Sequence, residues 1–336
     1  MGLEPTTFCM ASRRSSQLSY IRAAADILAP GRRGAFAAGG EAGSARRMGS
    51  TSTLARPLDG TAVFPIGLGA MPLSVSGRPD EGQAIRTVHA ALDAGVTLID
   101  TADAYALDES EVGHNERLVA KALGGRRQEV VVATKGGHVR RGRAWELDGS
   151  PTHLRAACES SLRALETDRI DLYQYHRPDP EVPFADSVGA LKELQDEGKV
   201  RWIGLSNVDV AQLEEALGIA DVVAVQNQLA LDFTSPLAKG EVQACTERGI
   251  AFLPWSPLGG IGQAGGASGV EAVRSAAERL GVSAQQVALA WLLSLGPTVI
   301  PIPGSRRPET ITDSLAAAEL ALDEAELQAI TAAVSG

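Results

Sequence analysis

Eight short apolar runs, separated by segments with helical periodicity, constrain the fold of this chain more than any other feature. They fall near residues 64 to 69, 96 to 100, 129 to 134, 170 to 175, 200 to 204, 221 to 225, 250 to 255 and 298 to 302. Runs of this length read as buried strands, and their alternation with helices is the sequence sign of βα units feeding a parallel sheet. Eight such units close a (β/α)8 barrel of the TIM type, which runs as one domain at roughly 250 residues. The expectation is an α/β protein with a single barrel over residues 59 to 336.

The intervening segments carry helix punctuation. Ser150 followed by Pro151 is an N-cap with a first-turn proline, and Phe184, Val188, Leu191 and Leu194 form a stripe ending at Gly198. Asp323 and Glu326 resemble a capping box on a terminal helix. The longest apolar run, Val287 to Leu293, is far short of the ~18 residues a membrane span requires. It reads as a buried helix or strand segment.

Residues 1 to 58 are a different kind of sequence, rich in Ala, Gly, Ser and Arg, and read as a leader that is disordered or not part of the native product. Residues 1 to 47 hold seven arginines against Glu4, Asp26 and Glu41, a net of +4 in a chain of −10. Such a leader fits an organellar transit peptide; the plainer explanation is an upstream translation start, with Met48 opening the native product. The acidic balance of the remainder argues against a nucleic-acid surface. Cys9, Cys158 and Cys245 offer neither a disulfide framework nor a zinc site, so no metal is expected and a cytoplasmic location is the default. Cys158 falls on the apolar face Leu154, Cys158, Leu162, Leu165 of a helix and reads as core. No feature fixes an oligomeric state, and a monomer is the working expectation.

Three polar residues follow strand-like runs directly: Asp100 after Val96 to Ile99, Lys135 after Val130 to Thr134, and His176 after Ile170 to Tyr175. Tyr105 follows in the loop after Asp100. In a barrel all four reach the C-terminal rim, where active sites of this architecture sit. A tyrosine hydroxyl keeps its proton at neutral pH, and a nearby Lys135 ammonium would favour the phenolate and lower its pKa. Asp100 would keep Lys135 charged, and His176 could hydrogen-bond a substrate oxygen. Together they suit protonation of a carbonyl oxygen as hydride arrives. Taken singly, each has a plain explanation: a loop cap, a surface charge or a satisfied core histidine. Their common placement at strand ends makes the joint coincidence improbable.

Further motifs extend the pattern. Ile99-Asp-Thr-Ala-Asp-Ala-Tyr105, Glu111-Val-Gly-His-Asn-Glu116, Ala133-Thr-Lys-Gly136, Tyr175-His-Arg-Pro-Asp179, Ile203-Gly-Leu-Ser-Asn207, Val225-Gln-Asn227, Trp255-Ser-Pro-Leu-Gly259 and Ile302-Pro-Gly-Ser-Arg306 follow one another along the chain. In this order they resemble the aldo-keto reductase family over about residues 60 to 336. The resemblance implies NADPH-dependent reduction of small aldehydes and ketones on a barrel without a Rossmann domain, with NADH also possible. It implies Tyr105 as general acid, completed by Lys135, Asp100 and His176.

By the same resemblance, Ser206, Asn207 and Gln226 would hold the carboxamide of the cofactor and Trp255 would stack on the nicotinamide. Ser256, Leu258 and Gly259 would line the pyrophosphate path. Gly304, Ser305 and Arg306, with Arg307, would surround the adenosine phosphate, and Asp313 would reach the adenine amino group. The chain departs from the family at Gly304, where many members carry lysine, at Thr310, and at Asp313-Ser314. Gly260 to Gly265 also satisfies G-x-G-x-x-G but lacks the early βαβ setting of that fingerprint, and reads as a flexible loop.

Other functions remain open: a non-catalytic nucleotide-sensing subunit on the same fold, or a Schiff-base enzyme using Lys135. A short-chain dehydrogenase is excluded, since no tyrosine has a lysine four residues on. The basic segment Gly136 to Gly149 reads as a long loop whose Trp145 could wall the substrate pocket. The pocket is expected to be open and permissive, with pyridoxal as one candidate.

Overall fold

The computed structural model describes residues 55–260 and 264–334. Its strands are β1 (Arg56–Leu58), β2 (Thr61–Val63), β3 (Leu68–Gly69), β4 (Leu98–Asp100), β5 (Val131–Gly136), β6 (His138–Arg141), β7 (Ala144–Leu147), β8 (Ile170–Tyr175), β9 (Val200–Ser206), β10 (Val222–Gln226) and β11 (Ala251–Phe252). Seven form one sheet in the order β11-β10-β9-β8-β5-β4-β3, every pair parallel.

The eighth run, 298 to 302, closes the ring without a regular ladder. Ile300 N donates to Phe252 O at 2.8 Å and Gly67 N to Pro301 O at 2.9 Å, so the segment bonds to both edges of the sheet. Pro301 and Pro303 have no N–H to give, which leaves only isolated bridges, Phe252 with Val299 and Gly69 with Gly304. Closure also needs small residues. A Cβ on Gly69 would lie 2.7 Å from Ile302 O, and one on Gly304 would lie 2.6 Å from Pro72 Cγ. The expected TIM-type barrel forms, its eighth stave irregular.

Strand alternation orders the barrel interior. Leu98, Ala133, Leu172, Ala224 and Leu253 belong to one buried cluster. Two residues further along the same segments, on the same face, stand Asp100, Lys135, Gln174, Gln226 and Trp255. The interior therefore turns from apolar to polar toward the C-terminal rim. The alternate residues Ile99, Val132, Tyr173, Ile203, Val225 and Phe252 face outward into the larger cluster shared with the helices.

The β1–β2 hairpin puts Leu58 and Val63 into the inner apolar cluster and so stops the N-terminal end of the barrel. Trp202 Nε1 donates to Asp59 Oδ2 in the hairpin turn at 2.6 Å. Arg56–Leu58 thus belongs to the folded body, which begins before residue 59; residues 1–54 of the leader lie outside the described residues.

The helix punctuation reads through. Ser150 Oγ accepts from His153 N, and Asp323 and Glu326 bond reciprocally at 2.9 Å. Val287 to Leu292 is buried within the helix Ala284–Ser294. Cys158 is buried, and burial pushes its thiol up to about 12, as it does for Cys245. The segment Gly136 to Gly149 is not a loop. It folds as the antiparallel hairpin β6–β7 around Gly142, whose φ of 53° suits the turn. No helix among the described residues is long and apolar enough to cross a membrane.

Candidate active site

The ends of β4, β5 and β8 bring Asp100, Lys135 and His176 to one rim, and the loop after β4 returns Tyr105 to the same point. Lys135 Nζ donates to Asp100 Oδ2 at 2.7 Å, to Thr101 O at 2.9 Å and to Tyr105 Oη at 3.1 Å. All three ammonium hydrogens are used, and the side chain is fully buried. Asp100 Oδ1 accepts from Gln226 Nε2 at 2.7 Å and from Gln174 Nε2 at 3.3 Å, so the carboxylate is bonded on both oxygens.

The Tyr105 loop is held from beneath. Gly113 N donates to Asp103 O at 2.7 Å, and Ala104 N donates to Asp103 Oδ1. Asn115 accepts from Thr101 Oγ1 and donates to Ala70 O and Ser74 Oγ, tying the ends of β3 and β4 together. Glu116 accepts from Thr134 Oγ1 at 2.6 Å, directly before Lys135.

Burial sets the protonation states. Desolvation lowers the pKa of Lys135, but the charges and hydrogen bonds of Asp100 and Tyr105 outweigh it and leave the group above its ordinary value. Desolvation raises Tyr105; Lys135 acts in the opposite direction, as expected from the sequence, yet the net shift is upward. The expected depression of the Tyr105 pKa is thus corrected: burial of the phenol is the larger effect. Desolvation also pushes His176 well below the usual imidazole value, aided by the positive charge of Lys135. The site holds a charged lysine, a protonated tyrosine and a neutral histidine.

These groups open onto a cavity of about 870 Å³. Its wall includes Asp100, Tyr105 and His176, while Lys135 lies behind it. Of the expected cofactor contacts, Ser206, Asn207, Gln226, Trp255, Ser256, Leu258, Gly304, Ser305, Arg306 and Asp313 all line it, as does Arg307. Gly259 does not. It closes a turn by donating to Ser256 O, and Gly260 takes its place in the wall. Residues 261–263 of the glycine-rich run lie outside the described residues.

Several lining groups are held in demanding states. Asn207 and Ser256 have φ of 61° and 49°, uncommon for residues with a Cβ. Trp255 Nε1 and His176 Nδ1 are buried with no hydrogen-bond partner. Arg306 donates to the carbonyls of Pro72 and Ser76, which turns its guanidinium along the rim. Asp313 accepts from Ser283 Oγ and Gln286 Nε2, both at 2.7 Å, so its carboxylate also anchors the start of the helix Ala284–Ser294. Gly304 departs from the common lysine because any Cβ there would meet Pro72.

Beside the tetrad of Asp100, Tyr105, Lys135 and His176, four rings meet edge to face. Tyr105 and His176 have centroids 5.7 Å apart, His176 and His138 4.2 Å, His138 and Trp145 5.5 Å, and Trp145 and Tyr105 6.4 Å. Trp145 lines the cavity, carried by β7 and backed by Arg140, whose guanidinium lies 4.2 Å from its ring. The sequence did not single out His138, Arg177 or Gln174. Arg177 lies inside the Tyr175 to Asp179 motif and His138 inside the Gly136 to Gly149 segment, and only those placements could have pointed to them. Among the described residues no cluster of three or more His, Cys, Asp or Glu is placed to hold a metal ion.

The profile described as "Aldo/keto reductase family" matches residues 65–335. The chain belongs to the aldo/keto reductase family. A probable aldo-keto reductase 1 from Glycine max is 35% identical over 306 residues, 82% of this chain and 86% of that protein. Among solved structures of the family fold, a glycerol dehydrogenase from Gluconobacter oxydans superposes with a TM-score of 0.73 at 26% identity, covering 85% of this chain and 96% of its own. An aldo/keto reductase from Klebsiella pneumoniae, solved with NADP and acetate, superposes with a TM-score of 0.70 at 27% identity, covering 82% and 93%.

Proposed function

We propose that the protein reduces small aldehydes and ketones to alcohols with NADPH, Tyr105 giving the proton. The observation that carries this reading is the three-way contact of Lys135 with Asp100 and Tyr105 beside the cavity wall. Tyr105 donates from its hydroxyl to the carbonyl oxygen. Lys135 stabilises the phenolate that remains, Asp100 keeps Lys135 charged and aimed, and neutral His176 orients the same oxygen from the adjoining ring face.

The lining residues fit a nicotinamide dinucleotide. When bound, NADPH would supply hydride to the carbonyl carbon. Ser206, Asn207 and Gln226 offer amide and hydroxyl groups beside the tetrad. Arg306 and Arg307 favour a 2′-phosphate and hence NADPH over NADH. Klebsiella relatives solved with NADP and with NADPH support that preference. The buried, charged state of Lys135 disfavours a Schiff-base nucleophile, which must be neutral. A cytoplasmic location is the default for a chain whose cysteine spacing offers no disulfide framework.

The decisive experiment is NADPH oxidation with a panel of aldehydes by wild type and Tyr105→Phe. Turnover that falls by a factor on the order of 10² to 10⁴ in the variant supports general-acid catalysis. Quenching of tryptophan emission by NADPH with no turnover of any carbonyl would instead make the protein a nucleotide sensor.

A further inference from the structure

We infer that the substrate is a carbonyl compound carrying an anionic group, held by the guanidinium of Arg177 at the tetrad end of the cavity. This rests on the carbonyl-reductase reading above and narrows its substrate class. Three arginines line the cavity: Arg306 and Arg307 beyond its closing segment, and Arg177, which follows His176 directly. Arg177 is exposed, and Nη2 donates to the neutral amide oxygen of Asn207 at 3.1 Å, leaving most of its five N–H donors for a ligand.

No acid among the described lining residues neutralises this charge. Asp100 is paired with Lys135, Asp313 is engaged by Ser283 and Gln286, and Glu309 starts the helix Pro308–Ala316, two residues after Arg307. Burial lowers His176 and His138, and the charges of Arg177 and Lys135 act on both in the same direction. Arg140 adds a further cation behind Trp145, its Nε and Nη1 buried without partners. In a chain of net charge −10, a cationic mouth around neutral imidazoles selects for anions.

The anion belongs to the carbonyl compound rather than the cofactor by position. Arg177 adjoins His176, beside which the reacting oxygen must lie, whereas the expected phosphate contacts follow the closing segment at 304 to 307. The aromatic ring set of Trp145 and His138 offers the intervening spacer a planar, apolar wall.

The test compares para-carboxybenzaldehyde with its methyl ester, using NADPH, in wild type, Arg177→Gln and Arg177→Lys. Wild type is expected to favour the acid in kcat/KM, and Arg177→Gln to reduce the acid-to-ester ratio by roughly tenfold or more. Arg177→Lys should restore part of it, and added salt should raise KM for the acid alone. An unchanged ratio overturns the inference. So does an equal fall for both aldehydes with a raised KM for NADPH, which would place Arg177 on the cofactor. Failure of wild type to reduce either aldehyde would overturn the reductase reading itself.

Discussion

Lys135 Nζ lies 2.7 Å from Asp100 Oδ2 with both side chains shielded from solvent, 0% and 4% exposed. Removing one charge of such a pair strands the other in low dielectric. Asp100→Asn is therefore expected to lower stability by about 3–5 kcal/mol and to cut turnover. The double variant Asp100→Asn with Lys135→Met should recover much of the stability in urea unfolding while turnover stays lost. Recovery of turnover along with stability would show that the pair serves folding only.

Protonation states at the site predict a flat pH profile for reduction. The active form needs Tyr105 protonated, and its pKa stands above the ordinary 10.0, so activity is full at neutral pH and declines only as pH rises through that elevated value. His176 acts neutral and is held well below 6.5, so no loss on acidification comes from it until pH falls well below that figure. Measured kcat should vary little between about pH 6.5 and 9. A tyrosine limb titrating within that window would show that the Lys135 charge outweighs burial after all.

The readable parts of the site are those where a polar residue interrupts or ends a contiguous apolar run. Asp100, Lys135 and His176 stand out for that reason, and strand alternation alone places them on the inner face. The eighth stave is legible as an apolar run but not as an irregular one, because its pairing depends on which N–H groups Pro301 and Pro303 lack. The β6–β7 hairpin is hidden because its exposed, mixed-charge faces give no period-2 apolar signal. Asn115, Glu116 and Gln174 are invisible as site supports: each bonds to partners distant in sequence, which local pattern does not encode, and Glu116 Oε2 is left buried without a partner. The direction of the Tyr105 shift is missed for a related cause, since the extent of burial is a property of the assembled barrel.

Gly136 couples packing to chemistry one residue after Lys135. A Cβ there would lie 2.1 Å from Tyr173 Oη, a fully buried group that donates to Leu154 O at 3.2 Å. Gly136→Ala must displace Tyr173 or the end of β5, at an expected cost of about 1–3 kcal/mol. Turnover should fall too, since Lys135 shares that strand end. Adding Tyr173→Phe removes the closest atom and should return part of the lost stability in thermal or urea unfolding. An alanine variant as stable and active as wild type would show that the space is not so limited.

Glu116 is a buried carboxyl whose replacement should help the fold. Desolvation raises its pKa above 4.5, although hydrogen bonding lowers it in part, and its charge in turn raises that of buried Asp103. A carboxyl raised in the folded state contributes its full stability only below the unfolded pKa and loses it as pH climbs through the folded value. At neutral pH the native chain therefore carries a penalty that an amide would not. In Glu116→Gln, Thr134 can donate to the side-chain amide oxygen as it does to Glu116 Oε1, and the neighbouring Ser161 hydroxyl can accept from the new NH2. The variant should raise the urea midpoint at neutral pH, with the gain shrinking as pH falls toward 4.5. A gain that is equal at both ends of that range would attribute the effect to hydrogen bonding rather than to charge, and a loss at neutral pH would mean that the carboxylate form is the one the barrel requires.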